Sequence, residues 1–102
     1  MSVRFTSKAK EHIRAIRVYS VHQWGKDVAE AYAGVLRATI MELLNHHPSP
    51  GRDRSDDLFP GIRSFPVERH VIYYREAADG IIVLAVLHEK QDPHIHLSPS
   101  KI

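Results

Sequence analysis

Four basic side chains stand out for chemistry: Arg63, His70, Arg75 and His88. An imidazole and a guanidinium set of this kind suits cleavage of a phosphodiester. That reaction needs a base for the 2′-hydroxyl, an acid for the leaving oxygen and cations for the crowded phosphorane. The competing reading is structural. Arg63 and Arg75 then form ion pairs across strands with Glu76 or Glu89, and the histidines cap strand ends. His94-x-His96 has the spacing of two metal ligands if the chain is extended there, but only Asp92 lies nearby as a further donor, so a polar tail is the expectation. No Gly-rich phosphate loop, nucleophile elbow or HExxH pattern occurs.

The elements that must position these groups lie between Pro60 and Asp92. Val71-Ile-Tyr-Tyr74 and Ile81 to Leu87 are rich in β-branched and aromatic residues, which pack well on a pleated surface. Ala77-Ala-Asp-Gly80 joins them as a hairpin, its Asp-Gly pair tolerating positive φ. Strands are predicted near 61–67, 69–76 and 80–88. Alternation puts Val71, Tyr73 and Arg75 on one face, with His70, Ile72 and Tyr74 on the other. The last strand is apolar on both faces, so its second face needs a cover, from a partner or from the chain itself.

Upstream, Val3 to Thr6 reads as a strand and Ser7 as the cap of a first helix. Ala9, Ile13, Ile16 and Ser20 form its inward stripe, and Lys10, Arg14 and Arg17 an adjacent basic face. That basic face reads as solvated rather than as a nucleic-acid contact. Gly25 breaks the helix after Trp24. Asp27 with Glu30 resembles a capping box for a second helix reaching about His46. Val28, Ala29, Tyr32, Val35, Leu36, Ile40, Leu43 and Leu44 cover nearly half its circumference, enough to touch both the first helix and a sheet. Trp24 and Tyr32 are expected in the core. His46 and His47 suit a helix C-terminus, and Pro48 and Pro50 stop it. The run 48–57 reads as a loop with its charges facing water.

The order is therefore β-α-α-β-β-β: an α+β fold with an antiparallel helical hairpin on a small, mainly antiparallel sheet. A single domain is expected over 1–97, with a polar tail at 98–102. The bulk figures agree with one soluble domain: 102 residues, 43% hydrophobic, 25% charged and a formal charge of +2. A pI of about 9.1 is mildly basic for a dedicated nucleic-acid binder. There is no cysteine, which removes disulfides and thiolate metal sites. The first ten residues hold no apolar signal core, and no run is long enough to span a bilayer, so a cytoplasmic location is expected.

Several segments together resemble the ParE-type toxins of the RelE/ParE toxin–antitoxin superfamily. They are Trp24-Gly25, Asn45 to Gly51, Pro60-Gly-Ile-Arg63, His70-Val-Ile-Tyr-Tyr-Arg75 and Val83 to Asp92, within a likeness running from about Ser7 to Leu97. The resemblance implies the same fold, no cofactor or metal, no membrane, and a ParD-like antitoxin. That partner's C-terminal part would wrap an apolar groove of the toxin, while its N-terminal part dimerises and binds operator DNA, which the toxin meets only indirectly. For the ParE branch the implied target is DNA gyrase, with the toxin an inhibitor and not a catalyst.

The alternative is the RelE branch, which cleaves ribosome-bound messenger RNA and would here use Arg63, His70, Arg75 and His88. Relatives commonly carry an arginine on the last strand where this chain has Ala85. RelE-like nucleases also have lysines ahead of the third strand segment and a C-terminal tyrosine. This chain has Arg52 and Arg54, no lysine between Lys26 and Lys90, and no tyrosine after Tyr74. The binding branch is therefore preferred. Excess apolar area puts the expected antitoxin surface at Ile13, Ile16, Tyr19, Trp24 and Tyr32. Target contact is expected at Arg63, Arg75, His88, Gln91 and Asp92.

Overall fold

The computed structural model describes residues 2–47 and 50–97. Strand β1 (Ser2–Phe5) ends one residue earlier than the pattern suggests. Thr6, not Ser7, therefore takes the extended cap position of helix α1 (Ser7–Trp24). Its Oγ1 accepts from Ala9 N at 3.1 Å and donates to Leu84 O at 3.0 Å, so one hydroxyl caps the helix and ties it to the sheet.

Gly25 closes α1 at φ +85°, a left-handed conformation that favours glycine, and it is also the residue before α2 (Lys26–Ala38). The expected capping box does not form. With a single residue between the helices, Asp27 is already inside the first turn, where its charge meets the helix dipole but caps nothing. Beyond α2 the chain continues as a π-helical stretch, Thr39–Leu44, which buries Ile40 and Leu44.

Five strands follow the order β1-β5-β4-β3-β2. Strands β3 (Ile62–Val67), β4 (His70–Ala77) and β5 (Gly80–His88) form the antiparallel centre. Strand β1 adds in parallel along β5, with Val3 beside Ile81. Strand β2 (Arg52–Asp53) pairs with Ser64 and Arg63, so part of the segment read as loop belongs to the sheet. Among the turn residues of the β4–β5 hairpin, Asp79 keeps negative φ. Gly80 is needed for a different reason: a Cβ there would overlap the carbonyl of Ser2, so the glycine admits β1.

Leu84 is an extra residue on β5, since Val83 faces Tyr74 and Ala85 faces Tyr73. The bulge sends Leu84 and Ala85 to one side of the sheet. On the helix side Ala9, Leu36, Ile40, Leu44, Ile72, Tyr74, Val83 and Val86 form the main core. On the other side Ile62, Tyr73, Leu84, Ala85 and Leu87 are covered by Leu58, Phe59 and Leu97. The chain itself thus supplies the cover for the second face of β5.

Residues 93–97, expected as polar tail, are ordered because Leu97 is an anchor, only 1% exposed. Asp92 caps helix α3 (Pro93–His96) and Pro93 supplies a preset φ at its first turn. Residues 98–102 lie outside the described part, as does Pro48. Trp24 is not a core residue: it is 49% exposed and stacks edge-to-face on Tyr19, ring centroids 6.0 Å apart, at the outer end of the hairpin. No helix among the described residues is long and apolar enough to cross a membrane.

Candidate functional site

The register of the sheet separates the four basic residues. Arg63 sits opposite Tyr74 and so lies on the helix side, whereas Arg75 sits opposite Ile62 and lies on the other. His70 and His88 are direct neighbours on β4 and β5. They lie four residues along β4 from the Arg63 row, or about 13 Å at the rise of a strand. A catalytic set needs its acid, base and cation around one atom, and these positions do not converge.

Each group also has local work. Arg63 Nη1 donates to Gly51 O at 2.8 Å, and Nε lies 3.8 Å from Glu76 Oε2. This is the cross-strand pairing expected of Arg63. Gly51 is held against the Tyr74 ring so closely that a Cβ there would overlap the hydroxyl. Arg63 and Tyr74 together fasten the chain ahead of β2 to the sheet. Arg75 is exposed.

His70 Nδ1 lies 2.5 Å from Tyr32 Oη of α2, and its ring stacks edge-to-face on His88 at 5.4 Å. Burial holds His70 below the ordinary imidazole range, the neighbouring His88 adds to this, and Glu89 opposes it. Burial likewise raises the Tyr32 phenol. A neutral His70 fastened to a helix is a packing group. His88 Nδ1 accepts from Lys90 N, and the His88 backbone N–H donates to Gln91 Oε1 at 2.7 Å. Asp92 accepts from both His94 N and His94 Nδ1, which lowers its pKa. Three of the five residues expected to meet a target, His88, Gln91 and Asp92, therefore shape the turn that leads into α3. His94 and His96 lie on a helical turn rather than an extended segment, and among the described residues no group of three metal-ligating side chains forms.

Two structural centres escape a reading of the sequence. The side chain of Arg54 is folded against the sheet, paired with the Asp57 carboxylate, with Nη1 3.3 Å from Ser64 Oγ and its guanidinium over the Tyr73 ring. Their mutual hydrogen bonds hold Asp57 ionised and keep Arg54 protonated. The i, i+3 spacing of Arg54 and Asp57 was the available signal. On the other edge His12 Nδ1 accepts from Val86 N at 3.2 Å, where β5 runs past the end of β1. Its ring packs edge-to-face on His96, and Lys8 Nζ reaches His96 O at 3.2 Å. Burial, His96 and Lys8 all lower the His12 pKa, while Glu11 raises it.

The expected antitoxin residues also divide. Ile13, Ile16 and Tyr32 line a cleft of ≈ 590 Å³ between α1, α2 and the sheet, floored by Phe5, Leu36 and Val86. Small residues on α2, Ala29, Ala33 and Gly34, widen it, and Arg17, Arg37 and Glu30 stand among its lining residues. Tyr19 and Trp24 do not line this cleft and are exposed.

Comparison with known proteins decides the family. The sequence profile described as the ParE toxin of the type II toxin–antitoxin system, parDE, matches residues 3–93. The chain belongs to the ParE toxin family. Toxin ParE1 of Caulobacter vibrioides is 33% identical over 94 residues, covering 92% of this chain and 95% of the relative. Toxin ParE of Escherichia coli is 31% identical over 88 residues, covering 85% and 84%. A solved structure titled as the chromosomal ParDE TA system from P. aeruginosa superposes with a TM-score of 0.71 over 86% of this chain and 95% of that one. At 22% identity that likeness bears on the fold alone. In this ParE family member Ala85 is fully buried in the cluster that includes Leu97, so an apolar contact stands at the position where the resemblance anticipates an arginine.

Proposed function

We propose that this chain is a toxin that acts by binding and inhibiting DNA gyrase in the cytoplasm, and that a ParD-like antitoxin neutralises it by direct contact. The observation that carries this reading is the separation of Arg63 from His70 and His88, each engaged in a structural bond. With these four groups apart, the protein works by surface complementarity and not by cutting RNA. Arg75 is exposed and serves as the first target contact, with the Arg63–Glu76 pair on the opposite face of the sheet. The cleft lined by Ile13, Ile16 and Tyr32 receives the apolar face of the antitoxin, and contact with operator DNA comes only through that partner. Tyr19 and Trp24 lie beyond the cleft, where an antitoxin reaches only by wrapping around α1.

Inducing the chain in cells without antitoxin tests the reading. DNA synthesis should stop first and broken DNA accumulate, with protein synthesis declining later. Early loss of protein synthesis and cleaved messages, with replication intact, would replace this proposal with the ribonuclease one.

A further inference from the structure

Helix α1 has a second organised face that the fold does not use. At 100° per residue, Glu11, Arg14, Ala15, Val18, Tyr19 and His22 share one arc, roughly opposite the inward stripe Ala9, Ile13, Ile16 and Ser20. All six are exposed, Val18 to 54% and Tyr19 to 58%, and together they line a shallow hollow on α1 alone. Glu11, Ala15, Val18 and His22 follow the 4-3-4 spacing of a seam that packs against another helix. Among the described residues Glu11, Arg14 and His22 have no hydrogen bond or ion pair within the chain.

We propose that this face is a self-association surface, on which α1 of a second copy packs antiparallel about a twofold axis between Ile16 and Arg17. The order of polar groups selects that occupant and that direction. In the antiparallel pairing Glu11 meets His22 of the second copy, the Arg14 guanidinium lies over the Tyr19 ring, and Ala15 leaves room for Val18. Each contact is repeated by symmetry, as an isologous interface requires. A parallel pairing would set Glu11 on Glu11 and Arg14 on Arg14. The cleft lies on the opposite side of α1, so a dimer built this way leaves it open to an antitoxin. One helix pair is a small interface, so the dissociation constant is on the order of 10–100 µM.

Sedimentation equilibrium of the purified full chain, across concentrations bracketing that constant, should show a monomer–dimer equilibrium. Val18→Asp, at an exposed site that leaves the fold intact by circular dichroism, should weaken the dimer at least about tenfold. Glu11→Arg and His22→Glu should each weaken it, and the double variant should return to within about threefold of the parent, because both symmetric positions then pair Arg with Glu. A monomer throughout, a dimer indifferent to Val18→Asp, or a double variant no better than the singles would overturn the proposal. So would a Val18→Asp variant that loses antitoxin affinity and keeps its dimer, since the face would then belong to the antitoxin.

Discussion

His12 Nδ1 accepts from the Val86 N–H and His70 Nδ1 lies against Tyr32 Oη, so two potential proton carriers sit half-buried where the neutral ring is favoured. Both imidazoles lie below the ordinary value of 6.5 in the folded chain. The unfolded chain therefore binds more protons once the pH falls below 6.5, so their contribution to stability is complete above that value and is lost as pH drops through the folded pKa values. Urea midpoints at about pH 7.5 and about pH 5.5 should show this loss, and a His12→Asn, His70→Asn variant should show less of it. A slope unchanged by the double substitution would contradict the assignment. Ala85 gives a second expectation at this scale. Ala85→Arg would place a charge under Leu97 and against Tyr73, and should cost about 3 kcal/mol or more in denaturant unfolding. Neither imidazole bond was legible in the sequence, because each joins groups at least 38 residues apart.

Among the elements, strands β3 to β5 were legible because β-branched and aromatic runs between turn residues have few other uses. The hairpin break at Gly25 was legible because a left-handed residue must stand there. Short elements were not. Strand β2 is two residues long, and α3 is a single turn whose Ile95 is exposed, with the anchor Leu97 just beyond it. Ser7 and Thr6 are equally good caps by type, and only the end of β1 decides between them. Trp24 was misplaced because aromatic character alone does not tell a core face from the end of a hairpin that overhangs the sheet. The cleft between α1 and α2 depends on the small side chains Ala29, Ala33 and Gly34. Ala33→Trp should fill it and weaken antitoxin binding by about tenfold or more in a calorimetric titration, with growth arrest by the free toxin retained. Antitoxin affinity equal to the parent would place the partner elsewhere.

For the whole molecule, the layered architecture was legible from element order, since an apolar helix face and a strand apolar on both sides call for burial, although the expected helix face was too wide: Val28, Val35 and Leu43 are exposed. The candidate site was legible only as a list of residue types. The four basic residues are near in sequence and alike in type, and the register then sets Arg63 and Arg75 on opposite faces with the histidines at the far end. Cover of the open face by Leu58, Phe59 and Leu97 was equally out of reach, because Leu58–Phe59 is a lone apolar pair without strand or helix period and Leu97 stands among polar neighbours. What remains on the surface, an exposed Arg75 on one face, the Arg63–Glu76 pair on the other and a cleft between helices, suits two binding partners better than a reaction. The most direct measurement is a supercoiling assay with purified gyrase, relaxed plasmid and the purified toxin. The account expects toxin to inhibit supercoiling or trap cleaved DNA in proportion to its concentration, with antitoxin abolishing the effect. Unimpaired supercoiling and no cleaved DNA at a large excess of toxin would contradict it.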